Sequence, residues 1–200
     1  MQRLLHRLVL YSIIVSMGRP KNFSREGVLR KALSVFWKHG FADTSLQELE
    51  RATRVNKSGL YSEFEGKEDL FVQSLQYYLE LQQKRGLLTA EPFGWSNVER
   101  FLKLGLCNTK EQKGCFSISS MREFPILPSK AFDIVSKSRL ELKKLIAKNI
   151  EVESPNMDPH LLAELVLTFF TGLCMEQYGK SSRTDLVRKV DNVMKVIRGI

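Results

Sequence analysis

The sequence is poor in the residues that build the commonest chemical sites. Its three cysteines, Cys107, Cys115 and Cys174, stand far apart with no C-x-x-C spacing, which argues against a disulfide framework and against a zinc site. Its three histidines, His6, His39 and His160, fall in unrelated segments and never at the H-x-x-x-H spacing that puts two ligands on one helical face. No metal and no other cofactor is therefore expected. Nucleophile elbows, phosphate-binding loops, paired catalytic carboxylates and zinc helices are not recognisable, and Gly66-Lys67-Glu68 lacks the glycine-rich context of a phosphate loop. The chain is accordingly not expected to be an enzyme. No stretch alternates apolar and polar residues as a half-buried strand would.

Long apolar runs are missing too. The run Leu8 to Val15 comes after Arg3 and Arg7 in the outline of a secretory signal, but it is too short to span a bilayer and has no small-residue cleavage site behind it. Instead, Met17-Gly18-Arg19-Pro20-Lys21 supplies an internal start with a basic arm. Residues 1–17 are expected to be an N-terminal extension or an upstream-start artefact. Their basic, amphipathic character keeps one rival open, a membrane-surface or adaptor protein.

At 200 residues and 43% hydrophobic, the chain can bury a substantial core. Lys and Arg number 31 against 22 Asp and Glu, a net charge of +9 that favours polyanionic partners such as nucleic acid. Scattered free thiols suit a reducing, cytoplasmic setting.

The helical signals begin at Ser24. It can cap a helix carrying Val28, Ala32, Val35 and Phe36 on one face, which Gly40 stops. Thr44 with Gln47, or Ser45 with Glu48, can form a capping box for a second helix with Leu46, Leu49 and Ala52 inside. After a short break at Thr53 to Asn56, Asn56 can cap a third helix holding Leu60 and Phe64. Two short helices joined by so brief a turn make a helix-turn-helix. A long helix is predicted from Lys67 to about Gly86, with further helices near 96–110, 115–123, 129–152, 159–178 and 184–198. The fold expected is all-α.

The exposed face of the third helix, Asn56, Lys57, Ser58, Gly59, Tyr61 and Ser62, is small, basic or hydrogen-bonding, as an element entering the major groove requires. Gly59 costs about 1 kcal/mol inside a helix relative to Ala; close approach of backbone to DNA or tight helix packing would each explain it. Thr44 and Ser45 at the start of the second helix, and Lys67 beyond the third, are placed to meet phosphates. Arg19, Lys21 and Arg25 offer a basic arm.

The pattern Gly40-Phe41-x-x-Thr44-Ser45-Leu46-x-Glu48-Leu49, then Val55-Asn56-Lys57-Ser58-Gly59-Leu60-Tyr61-x-x-Phe64-x-x-Lys67-Glu68-x-Leu70-Phe71, resembles the DNA-binding domain of the TetR (tetracycline-repressor-like) family. A pattern over about fifty residues is far more specific than a short motif. The resemblance implies a three-helix DNA-binding domain over 18–66 and a helical effector-binding and dimerisation domain over 67–200. It implies a transcriptional regulator, repression being the commoner mode, that binds a near-palindromic double-stranded operator as a homodimer and is released by a small-molecule effector. It also implies DNA-facing positions at Thr44, Ser45, the exposed residues from Asn56 to Ser62, and Lys67, with Tyr61 and Lys67 on phosphates. The chain departs from the family pattern at Arg54, where a turn glycine is usual, and at Glu63, where an aromatic or histidine is common.

The C-terminal half offers broader expectations. Leu162, Leu165, Phe169, Leu186, Val190, Val193 and Ile197 are candidates for a four-helix dimer interface, with closure of the monomer core as the alternative. Trp95, Phe101, Leu104, Cys115, Phe116, Met121, Phe132 and Met175 are candidates for lining an effector pocket. Cys115 or Cys107 raises a different effector, a thiol-reactive electrophile or oxidant, with Lys113 and Arg122 as basic neighbours of Cys115.

Overall fold

The computed structural model describes residues 23–106, 112–179 and 181–199. The expected N-terminal extension, the basic arm at Arg19 and Lys21, and Cys107 lie outside the described residues.

Three short helices form the head: α1 (Arg25–His39), α2 (Leu46–Thr53) and α3 (Lys57–Tyr61). Helices this short are not stable alone, so their ends and inner faces must be satisfied by neighbours. Ser24 accepts from the Gly27 amide at 3.0 Å to start α1. Gly40, at φ +83°, returns its N–H to Phe36 O and stops it. Of the two possible capping boxes the chain uses Ser45 with Glu48: the Glu48 amide donates to Ser45 Oγ at 3.2 Å, and the Ser45 amide to the Glu48 carboxylate at 2.8 Å. That reciprocal bond holds the Glu48 carboxyl below the usual carboxylate range. Arg54 ends α2 in the left-handed region, φ 62° and ψ 28°, with its N–H on Glu50 O; this is the conformation the missing turn glycine would have adopted without strain. Asn56 Oδ1 accepts from Gly59 N at 2.9 Å and starts α3. Beneath these helices Val28, Ala32, Phe36, Leu49, Leu60 and Phe64 are buried.

The body begins with α4 (Lys67–Glu80). The helix predicted to run to about Gly86 stops at Glu80, and α5 (Gln83–Thr89) begins after Leu81 and Gln82. The last turn of α4 tightens, with Gln82 N bonding Leu79 O at 3.3 Å, and the redirected chain carries Leu88 fully into the core. Neither glycine nor proline marks that break. Next come α6 (Trp95–Leu104), α7 (Phe116–Ser120) with a 3-10 turn at Met121–Glu123, α8 (Ser129–Glu151), α9 (Pro159–Glu176) and α10 (Arg183–Arg198). Helix α6 gives way at Gly105, short of the expected end near residue 110. The described residues contain no strand, so the fold is all-α. Helix α8 packs most extensively on α9, α1 lies on α4, and α10 closes on α6.

One core runs through head and body. At the junction Phe71 of α4 meets Phe36 at 5.1 Å, Phe41 at 5.3 Å and Phe116 at 5.6 Å between ring centroids, and Trp37 meets Tyr78 at 5.0 Å. Edge-to-face aromatic pairs of this kind favour particular orientations as well as burial. Among the described residues no helix is long and apolar enough to cross a membrane, and no group of histidines, cysteines and acids could hold a metal ion.

Candidate nucleic-acid interface and effector cavity

On α3 the apolar side turns inward through Leu60, while Lys57, Ser58, Tyr61 and Ser62 are exposed, Tyr61 by 46%. The Lys57 amide donates to the Glu50 carboxylate, which docks the start of α3 on α2. The Lys57 ammonium sits 5.7 Å from the Tyr61 ring centroid, so the two form one unit on the surface. Ser62 Oγ donates to Gly59 O at 2.8 Å. Gly59 itself answers to packing: a Cβ there would fall 2.6 Å from Val55 Cγ1 and 3.4 Å from Phe23 Cε1. Of the two explanations open for this glycine, helix packing has a visible cause.

Several expected phosphate contacts are engaged elsewhere. Thr44 is 1% exposed and its hydroxyl donates to Gly40 O at 2.6 Å. Ser45 spends both its amide and its hydroxyl on Glu48, each at 2.8 Å. Lys67 turns back into the head: its ammonium donates to Phe41 O at 2.9 Å and Thr44 O at 3.0 Å and lies 4.3 Å from the Phe41 ring centroid. An ammonium that holds two carbonyls of one turn is a structural brace. Arg25, expected in a loose arm, is the first residue of α1 and is tied to Glu63, donating to Glu63 O at 2.7 Å and Oε2 at 3.0 Å. Glu63 thereby faces α1 rather than the surface of α3. The sequence showed the residue types at these positions but not their long-range partners.

The body holds a small cavity of about 30 Å³ between α4, α7, α8 and α9, lined by apolar Leu79, Ile118, Val135, Leu142, Leu167 and Phe170 and by polar Tyr78, Gln82, Cys115, Ser117, Ser138 and Arg139. That is room for about one or two waters, well below the roughly 300–1,000 Å³ of pockets for drug-sized ligands. Of the eight expected lining residues only Cys115 reaches it. Phe101 is fully buried and packs on Phe170 at 4.8 Å, and Phe116 belongs to the aromatic junction. Phe132 is 53% exposed, against Phe124 at 5.2 Å. Trp95, Leu104, Met121 and Met175 are half-buried away from the cavity lining. Aromatic and Met spacing cannot separate core from cavity, because both are apolar.

Cys115 is buried, and its sulfur accepts from the Tyr78 hydroxyl at 3.2 Å and shares a contact of 3.1 Å with Ser117 Oγ. Burial pushes the Tyr78 phenol well above the ordinary tyrosine range, with the neighbouring Cys115 adding to the shift, so Tyr78 remains a donor. Cys174 is buried beside the same segment, its carbonyl packed on Gly114. Arg122 lies over the Tyr178 ring at 4.9 Å instead of beside the thiol.

The expected dimer residues also divide. Leu162, Leu186, Val190 and Ile197 are 0–5% exposed within the protomer's own core, so they cannot form an outer face. Phe169 and Val193 are half-buried, and Leu165 is 52% exposed, joined on α9 by Leu161 at 55% and on α10 by Val196 at 64%. Helix α9 is apolar nearly all round, which hides its inward side from sequence reading.

Comparison with known proteins bears on both regions. Residues 28–73 match the family model described as bacterial regulatory proteins, tetR family. The HTH-type transcriptional repressor ComR of Escherichia coli (strain K12) is 46% identical over 111 residues, 52% of this chain and 53% of ComR. The matched region thus spans about half the length of that relative. The HTH-type transcriptional repressor DhaR of Mycobacterium sp. (strain GP1) is 24% identical over 170 residues, 81% of this chain and 86% of DhaR. Among solved structures, a cysteine mutant of the TetR family transcriptional regulator CifR, complexed with 26-bp double-strand operator DNA, superposes with a TM-score of 0.80 at 24% identity, covering 90% of this chain and 100% of that one.

Proposed function

We propose that the chain, whose residues 28–73 match the tetR family model, is a TetR-family, cytoplasmic transcriptional repressor whose head, residues 18–66, reads DNA and whose body, residues 67–200, dimerises and binds an effector. The observation that carries this reading is the outer face of α3, where Lys57, Ser58, Tyr61 and Ser62 stand exposed while Leu60 packs inward and Asn56 caps the helix. Side chains of these types reach base edges and phosphates. Two protomers would present their α3 helices to major-groove faces about 34 Å apart, so the operator is near-palindromic. The names repressor for ComR and DhaR, and the operator complex of CifR, support the same reading.

The braced residues take altered roles within it. Lys67 and Thr44 hold the turn before α2. Asn56 and Gly59 shape α3, while Lys57, Ser58, Tyr61 and Ser62 meet the DNA. Dimerisation uses the outward side of α9, Leu161 and Leu165 with Phe169, in place of the residues buried in the protomer.

The effector is a small molecule that binds the DNA-incompetent state more tightly; each 1.4 kcal/mol of difference shifts the equilibrium about tenfold. One observation favours a thiol-reactive electrophile: Cys115 lines the small cavity, and so slight a space suits a few atoms held covalently better than a large ligand held by contact.

The test of the reading face is a selection of preferred duplexes from a randomised pool by the wild-type chain and by Lys57→Ala and Ser58→Ala. An altered preference is expected for both variants. Unchanged preference with uniformly lower affinity would remove α3 from base reading.

A further inference from the structure

The turn between α1 and α2 belongs to the head, yet a residue of the body closes it. Phe41 N–H donates to Glu123 Oε2 and Ala42 N–H to Oε1, each at 2.8 Å. A carboxylate that grips two successive amides fixes orientation as well as distance. Gly40 makes the approach possible, since a Cβ there would fall 2.8 Å from Glu123 Oε2, and its φ of +83° is one that other residues rarely adopt. On the opposite side of the same turn, the Lys67 ammonium holds the carbonyls of Phe41 and Thr44. Amides and carbonyls of the turn are thus both held by side chains from outside it.

Glu123 ends the 3-10 turn that continues α7, whose start lines the cavity through Ser117 and Ile118. A second tie runs beside the first: Trp37 Nε1–H donates to Lys113 O at 2.9 Å, and the Tyr178 hydroxyl donates to the same oxygen at 2.9 Å. The segment from 113 to 123 therefore touches the head at both ends and the cavity between them.

We propose that Glu123 is a positioning residue for DNA reading, which sets the orientation of the head on the body. This role rests on the two-headed, dimeric reading of the operator. In that arrangement the clamp matters little to a single head on its half of the site. It matters when two heads must engage together, because their mutual orientation decides whether the second binding event gains from the first.

The experiment compares the wild-type chain, Glu123→Ala and Glu123→Gln on two duplexes: one selected by the wild-type chain from random sequence, and the same duplex with one half scrambled. Glu123→Ala is expected to bind the half-scrambled duplex as the wild type does and the intact duplex about tenfold or more weakly. Glu123→Gln, whose amide retains one acceptor for the two donors, should fall between. Hydrogen exchange gives an independent readout: the Phe41 and Ala42 amides should exchange faster in Glu123→Ala while core amides such as that of Leu75 keep their protection. Equal losses on both duplexes would mark Glu123 as a fold-stabilising residue only, and no loss on either would remove it from DNA reading; each overturns the proposal. A wild-type chain that gains nothing from the second half-site would refute the two-headed reading itself, and this proposal with it.

Discussion

In the head, α1 to α3, polar side chains close helix ends and turns; in the body, α4 to α10, they gather into buried clusters. Ser24, Ser45 with Glu48, Asn56 and Thr44 each satisfy a backbone group within or beside a short helix. The body's helices, up to 23 residues in α8, are held by apolar faces and need fewer such devices. Its polar groups instead form two interior knots. Asn149, fully buried, accepts from Gly94 N at 3.1 Å and from Asn97 Nδ2 at 2.9 Å and donates to Leu88 O at 2.8 Å. The other knot joins Tyr78, Cys115, Ser117, Ser119 and Tyr178 around α7. The lesson is one of exposure: the head presents the outer side of α3 to a partner, whereas the body also gathers polar groups into its interior.

The largest effect should come from breaking the seam between the two regions. Phe71→Ala removes a ring packed on Phe36, Phe41 and Phe116, and is expected to cost about 4 kcal/mol in urea unfolding. Loss of the seam should also separate the unfolding of head and body as tracked by different probes. Asn149→Ala should come next at about 3 kcal/mol, because it strands the Gly94 amide and other buried groups, while leaving the head's amide protection intact. Ser45→Ala deletes half of the capping box and should cost about 1 kcal/mol, with faster exchange confined to the start of α2.

The smallest effect is electrostatic and lies between α6 and α10. Glu99 is held below the usual carboxylate range chiefly by its hydrogen bond from Lys103, and Lys103 is held above the usual lysine range chiefly by its bond to Asp191, then by Glu99. The Glu99 contribution is present above its unfolded pKa and lost as pH falls through the lowered folded value. The Lys103 contribution is present below its unfolded pKa and lost as pH rises through the raised folded value. Stability is therefore expected to sag at both the acid and the alkaline limbs, and Lys103→Met should flatten each limb in urea midpoints measured across pH. The pairs are partly exposed, so added salt should reduce the difference.

Local signals and distant partners account for what the sequence could show. Helix ends in the head were legible because Ser24, Ser45-x-x-Glu48, Asn56 and Gly40 act on groups a few residues away. The all-α class and the helix-turn-helix came from those signals and from 3.6-residue periodicity. The break after Glu80 carried no local mark, because it is imposed by packing Leu88 into the core. Lys67 and Thr44 looked free until Phe41 O and Gly40 O claimed them. Glu123 gave no signal, since its partners lie more than eighty residues upstream in the chain, Phe41 at a separation of 82 and Ala42 at 81. Cavity residues such as Ser138 and Arg139 sit on a charged helix whose buried stripe is set by its contact with α9.

The central claim, that the outer face of α3 reads DNA, is tested most directly by binding of the full chain to its own upstream intergenic DNA beside a scrambled duplex, over a salt series, with Tyr61→Ala as control. The account predicts salt-sensitive binding that prefers the native fragment and is lost in the variant. Binding indifferent to both sequence and Tyr61 would contradict it.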